Sequence, residues 1–106
     1  MKLWIDDVRE APEGYIWCKS VNETIEFIEE EEAFFELTDQ EGKPFSLLDL
    51  DHDAGDYAND GGDYIKLLDW LEETGRSYPI RIHSMNPVGV ENMRQIIVKN
   101  NWREVK

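Results

Sequence analysis

Leu47-Leu48-Asp49-Leu50-Asp51-His52-Asp53 is the stretch on which the fold turns. A short apolar run, interrupted by one carboxylate, gives way at once to polar, reactive side chains. The same thing happens twice more, where Leu3-Trp4-Ile5 runs into Asp6-Asp7 and Ile80-Arg81-Ile82 runs into His83-Ser84. The chain has two histidines, and both sit at such an exit. Short apolar runs bounded by polar turn residues read as buried strands. In an open parallel sheet, ligands bind in the crevice outside the carboxyl ends of the strands. If the three runs are neighbouring parallel strands, their carboxylates, two imidazoles and a hydroxyl converge on one rim. Such a rim is a candidate site for a divalent cation and a phosphate.

Working outward, Lys2 to Asp6, Tyr15 to Lys19, Phe45 to Asp51 and Pro79 to His83 are predicted strands, and Trp102 to Val105 a last edge strand. Val8 to Gly14 contains Pro12 and Gly14 and has no helical period, so it reads as a loop. Ser20-Val21-Asn22-Glu23 is a capping box that opens a helix with Val21, Ile25 and Ile28 on one face. Glu32 to Pro44 reads as a local hairpin or a frayed helix end. Tyr64, Leu67, Leu68 and Leu71 mark a second amphipathic helix ending near Gly75. Asn86 and Pro87 read as the cap and first residue of a third helix, carrying Met93, Ile96 and Ile97. Strands alternating with helices predict an α/β fold with a mostly parallel five-stranded sheet. An order of 2-1-3-4-5 with right-handed crossovers brings the first, third and fourth strands together.

A length of 106 residues fits one domain spanning residues 1–106. With 24 acidic against 11 basic residues, the net charge of -13 argues against binding a nucleic-acid backbone or a membrane surface. A small phosphorylated ligand stays compatible when a metal ion supplies positive charge; for most of the carboxylates the ordinary role is solubility. Cys18 is the only cysteine, which excludes an intramolecular disulfide and suits a buried structural thiol in a reducing cytosol. No apolar stretch approaches the ~18 residues of a membrane span, and the N-terminus lacks a signal pattern. The expected location is the cytoplasm.

Asp6, Asp7 and Asp51 supply hard oxygen ligands of the kind Mg²⁺ or Mn²⁺ prefers alongside water and phosphate. Acidic residues are also common in turns and caps. Asp53 reads as a loop-ordering residue or a further ligand, and Asp49 as a peripheral or paired carboxylate. His52 and His83, with Asp51 beside them, form the candidate catalytic group, because imidazole titrates near neutral pH. The plain alternative is that each histidine bonds backbone at a strand end. Ser84, Arg9 and Asn86, the last at a helix start, are candidate phosphate contacts. Gly55, Gly61 and Gly62 match no phosphate-loop fingerprint and read as a mobile loop. Trp4, Trp17, Phe27 and Trp70 read as core.

The acidic pair after a first strand, Asp51 after the third and Ser84 after the fourth resemble a response-regulator receiver domain. Closer still, Ile5-Asp6-Asp7-Val8-Arg9, Leu50-Asp51-His52-Asp53 and His83-Ser84-Met85-Asn86-Pro87-Val88-Gly89 resemble the motifs of the cyclic-phosphate-processing receiver domain family. The resemblance implies a receiver-like (flavodoxin-like) three-layer sandwich. The sequence departs from that pattern in lacking the helix after the first strand, where the Val8 to Gly14 loop stands, and in lacking the lysine-proline after a fifth strand and the last helix. The resemblance also implies processing of a cyclic phosphate. Joined to the carboxylates and histidines above, the expectation is a metal-dependent phosphoesterase-like domain processing or binding a cyclic phosphate of a nucleotide or ADP-ribose derivative. The rivals are a non-catalytic receiver-like signalling or phosphate-binding module and a plain acidic interaction domain.

Overall fold

The computed structural model describes residues 1–106. Strands β1 (Lys2–Ile5), β2 (Tyr15–Cys18), β3 (Leu47–Leu50) and β4 (Ile80–Ile82) alternate with helices α1 (Val21–Leu37), α2 (Ile65–Glu73) and α3 (Pro87–Lys99). A short 3-10 turn, Gly55–Asn59, lies between β3 and α2. All strand pairs are parallel, in the order β2-β1-β3-β4. The expected fifth strand is not formed. Its segment contributes one isolated parallel bridge, Ile80 to Glu104, framed by Ile80 N–H to Arg103 O at 2.9 Å and Val105 N–H to Ile80 O at 2.7 Å. With β4 only three residues long, there is little ladder to extend.

Register fixes the two faces of the sheet, because residues paired across parallel strands point the same way. Leu3, Leu48 and Ile80 are aligned, as are Ile5, Leu50 and Ile82. Leu3, Ile5, Leu48, Leu50 and Ile80 share one core of 17 residues with Val21 and Ile28 of α1, Leu67, Leu68 and Leu71 of α2, and Met93 and Ile97 of α3. All three helices therefore cover one face. The other face carries Trp4, Asp49 and Arg81 in register, and neither Trp4 nor Asp49 belongs to that core. This corrects the expected three-layer sandwich. The crossovers β2-to-β3 and β3-to-β4 run in one direction across the sheet, so right-handedness sends both to the same side. The β1-to-β2 connection runs the opposite way and must cross the other face, and here it is nine loop residues, Asp6 to Gly14, rather than a helix.

Local sequence explains the elements. Ser20 Oγ accepts the Glu23 N–H at 3.0 Å, while Glu23 reaches back to the Lys19 N–H at 3.3 Å. Neither hairpin nor frayed end forms after Glu32: α1 runs on to Leu37, since Glu, Ala and Leu favour a helix and no Gly or Pro intervenes. Asp39, with φ 57°, closes the turn beyond it. Ser20 Oγ also donates to Asp60 Oδ2 at 2.6 Å, pinning the β3–α2 loop against the start of α1. Cys18 is buried, and burial followed by the nearby Glu23 pushes its thiol up to about 11, as befits a structural thiol. No helix is long and apolar enough to cross a membrane.

Candidate functional site

The three predicted exits meet. Asp6 and Asp7 follow β1 and Asp51 follows the adjacent β3; one carboxylate oxygen from each lies within 4.8 Å of the others. Asp6 is fully buried, with Oδ1 accepting the N–H groups of Val8 at 3.0 Å and Arg9 at 2.9 Å. Burial pushes its carboxyl up, but those two hydrogen bonds and one from His83 outweigh it, leaving Asp6 below the usual carboxylate range. Asp7 goes the other way: burial first, then the charges of Asp6 and Asp51, hold it above that range. A Cβ at Gly55 (φ 54°) would overlap Asp7 Oδ2, so a side chain there would be strained and would push the Asp7 carboxylate aside. Three hard oxygen donors, two neighbouring strands and a carboxyl that resists ionising among its peers fit a bound divalent cation.

His83, after β4, lies beside this cluster. Its Nε2 is 2.9 Å from Asp6 Oδ2 and its Nδ1 is 2.7 Å from Asp49 Oδ1. Asp49 is fully buried, and its Oδ2 accepts from Arg81 at 3.1 Å. The imidazole stacks on Trp4, with centroids 3.7 Å apart and planes 4° from parallel. Trp4 Nε1 in turn donates to Arg9 O at 2.8 Å, and Trp17 Nε1 to Asp6 O at 2.8 Å. Two indoles thus tie the β1–β2 connection over the helix-free face.

His52 follows Asp51 and packs against the start of α3, where a Cβ on Gly89 would overlap its ring. Its Nδ1 lies 2.8 Å from Asp53 Oδ1 and 3.4 Å from Asn86 Nδ2. His52, Asp53 and Asp63 form a second group whose ligand atoms lie within 4.8 Å. Those groups are engaged locally, Asp63 Oδ1 accepting the Ala54 N–H at 2.9 Å. Asn86 Oδ1 caps α3 by accepting the Gly89 N–H at 3.0 Å. Ser84 Oγ accepts the Asn86 N–H at 3.1 Å, which leaves its hydroxyl hydrogen free to donate. Arg9 is exposed and donates to His83 O at 3.1 Å, bridging the β1 and β4 exits.

Reading the sequence missed three members of this neighbourhood. Trp4, buried as expected, and Trp17, only half-buried, both serve the rim as well. Asp49, taken as peripheral or paired, is paired but central. The signal was present: a carboxylate flanked by Leu48 and Leu50 within a buried strand needs a partner. The Arg81 and His83 alternation on the neighbouring strand supplies two.

The profile of the cyclic-phosphate processing receiver domain family matches residues 1–99. No curated protein and no solved structure matches the chain.

Proposed function

The chain belongs to the cyclic-phosphate processing receiver domain family, and from that membership and the rim geometry we propose a divalent-metal-dependent phosphoesterase that opens a cyclic phosphate. The observation that carries this reading is the meeting of Asp6, Asp7 and Asp51 with one another and of Asp6 with His83. Asp6, Asp7 and Asp51 would hold Mg²⁺ or Mn²⁺, which when bound supplies the positive charge that a net-acidic rim lacks for an anionic ligand. Arg9, the Ser84 hydroxyl and the N-terminus of α3 behind Asn86 hold phosphate oxygens. His52 and His83 act as the acid–base pair: one imidazole accepts a proton from the attacking water, and the other protonates the departing ring oxygen. One P–O bond forms to water, one ring P–O bond breaks, and a phosphomonoester with a free hydroxyl results.

Hydrolysis of 2′,3′-cyclic nucleotides with and without EDTA tests the proposal. Turnover that needs Mg²⁺ or Mn²⁺ and is lost in Asp51→Asn supports it; undiminished turnover in EDTA overturns the metal role. One observation favours a second reading, a module that binds phosphate without turning it over: both ring nitrogens of His83 already face carboxylates. That reading requires thermal stabilisation by Mn²⁺ with inorganic phosphate and no hydrolysis.

A further inference from the structure

We infer that Asp49 is a positioning residue for His83, and that Arg81 and Trp4 complete its mount. This rests on the proposed acid–base use of His83. Asp49 lies in the middle of the central strand β3, fully buried. A carboxylate there is costly unless paired, and a leucine would suit the strand better on packing grounds alone. Its two oxygens do different things. Oδ2 takes the Arg81 guanidinium at 3.1 Å, which fixes the carboxylate plane; Oδ1 takes His83 Nδ1 at 2.7 Å.

Strand alternation explains why both partners come from the same side. Arg81 and His83 are two apart at β4 and its exit, so they share a face, and Asp49 is the β3 residue in register with Arg81. Trp4, the β1 residue in the same register, lies flat against the imidazole at 3.7 Å and blocks rotation of the ring. With Nδ1 bonded and the ring plane held, Nε2 has one direction left, towards Asp6 Oδ2 at 2.9 Å and the metal-side rim. The partner of one imidazole nitrogen sets which nitrogen, in which orientation, is presented for proton transfer. Asp49 does this from behind, fully buried beneath the ring.

The test uses the full chain with ¹⁵N-labelled histidine in EDTA. Wild type is expected to show a far-downfield, slowly exchanging Nδ1 proton that disappears in His83→Gln. Asp49→Asn is expected to lose that proton while leaving the His52 signals in place. In hydrolysis of a 2′,3′-cyclic nucleotide, Asp49→Asn is expected to lower kcat by at least about 10-fold with KM unchanged, since removing the carboxylate that orients a histidine costs roughly 10- to 100-fold at metal-bound histidines and about 10⁴-fold at a catalytic one. Arg81→Gln, at a half-exposed position, guards against misfolding of Asp49→Asn: it is expected to keep the proton, speed its exchange and lower kcat by less. Persistence of the Nδ1 proton in Asp49→Asn overturns the inference, as does its loss with kcat unaltered. If Asp49→Asn does not fold, an Arg81→Gln variant with wild-type exchange and kcat overturns it equally. If wild type does not hydrolyse the substrate, the proposed activity fails by itself. The resonance still decides whether Asp49 orients the ring.

Discussion

Replacing His83 with alanine should be among the most damaging single changes in the chain. The imidazole separates two fully buried carboxylates, Asp6 and Asp49, and bonds both, at 2.9 Å and 2.7 Å. Hydrogen bonds to charged groups contribute about 1.5–3 kcal/mol each. Ring stacking on Trp4 adds about 0.5–1.5 kcal/mol. Asp6 keeps two backbone donors and Asp49 keeps Arg81, so neither carboxylate is wholly stranded. The expected loss is therefore about 3–5 kcal/mol, the range seen when one partner of a buried pair is removed. Against a total stability of about 5–15 kcal/mol this is severe. For a domain of this size each 1 kcal/mol lowers Tm by about 4–8 °C, so a fall of roughly 12 °C or more is expected. Urea unfolding followed by tryptophan fluorescence, at neutral pH in EDTA, measures it. A His83→Ala loss below about 1 kcal/mol, well short of the cost of breaking a buried pair, would refute the reasoning.

Millimolar Mg²⁺ or Mn²⁺ should raise the Tm of the wild-type chain, since an ion at 100 times its Kd stabilises by about 2.7 kcal/mol, and Asp51→Asn should abolish the effect. Equal shifts in both proteins would remove Asp51 from the metal site. Asp7 is held above the ordinary carboxylate range, so the folded chain binds its proton more tightly than the unfolded chain does. Ionised Asp7 therefore costs stability at neutral pH, and the cost fades as pH falls through the raised value towards the ordinary one. In EDTA, Asp7→Asn should raise Tm at neutral pH and lose that advantage in acid; a gain independent of pH would contradict an electrostatic origin. Gly89→Ala should displace the His52 ring, costing about 1–3 kcal/mol as overpacking does and shifting the His52 side-chain resonances. Unmoved resonances would mean the ring does not lie where the geometry puts it.

Much of the architecture could be read from residue order. Three apolar runs with polar exits located β1, β3 and β4, and Ser20 and Asn86 placed two helix starts correctly. Parallel pairing followed from the alternation, and it made Asp6, Asp7 and Asp51 neighbours. What was illegible depends on the third dimension. The Glu32–Leu37 stretch is helical because the α1 helix, already nucleated by its cap, simply continues; an exposed Phe34 and Leu37 disguised it. Trp17 looked like core, and Trp4 is buried but on the helix-free face, because hydrophobicity does not say which face of a sheet a helix will cover. Asp49 shows its importance only once β3 and β4 are set in register, since its partners lie over thirty residues away.

The nine-residue connection from Asp6 to Gly14 is at once a roof and a toolkit. It lies over the stacked indole and imidazole, and it also carries Asp7 and Arg9. A lid that swung aside to admit a ligand would take a metal-side carboxylate and a guanidinium with it. Opening that side and keeping the Asp6, Asp7 and Asp51 cluster and the Arg9 bridge to His83 intact would therefore be incompatible.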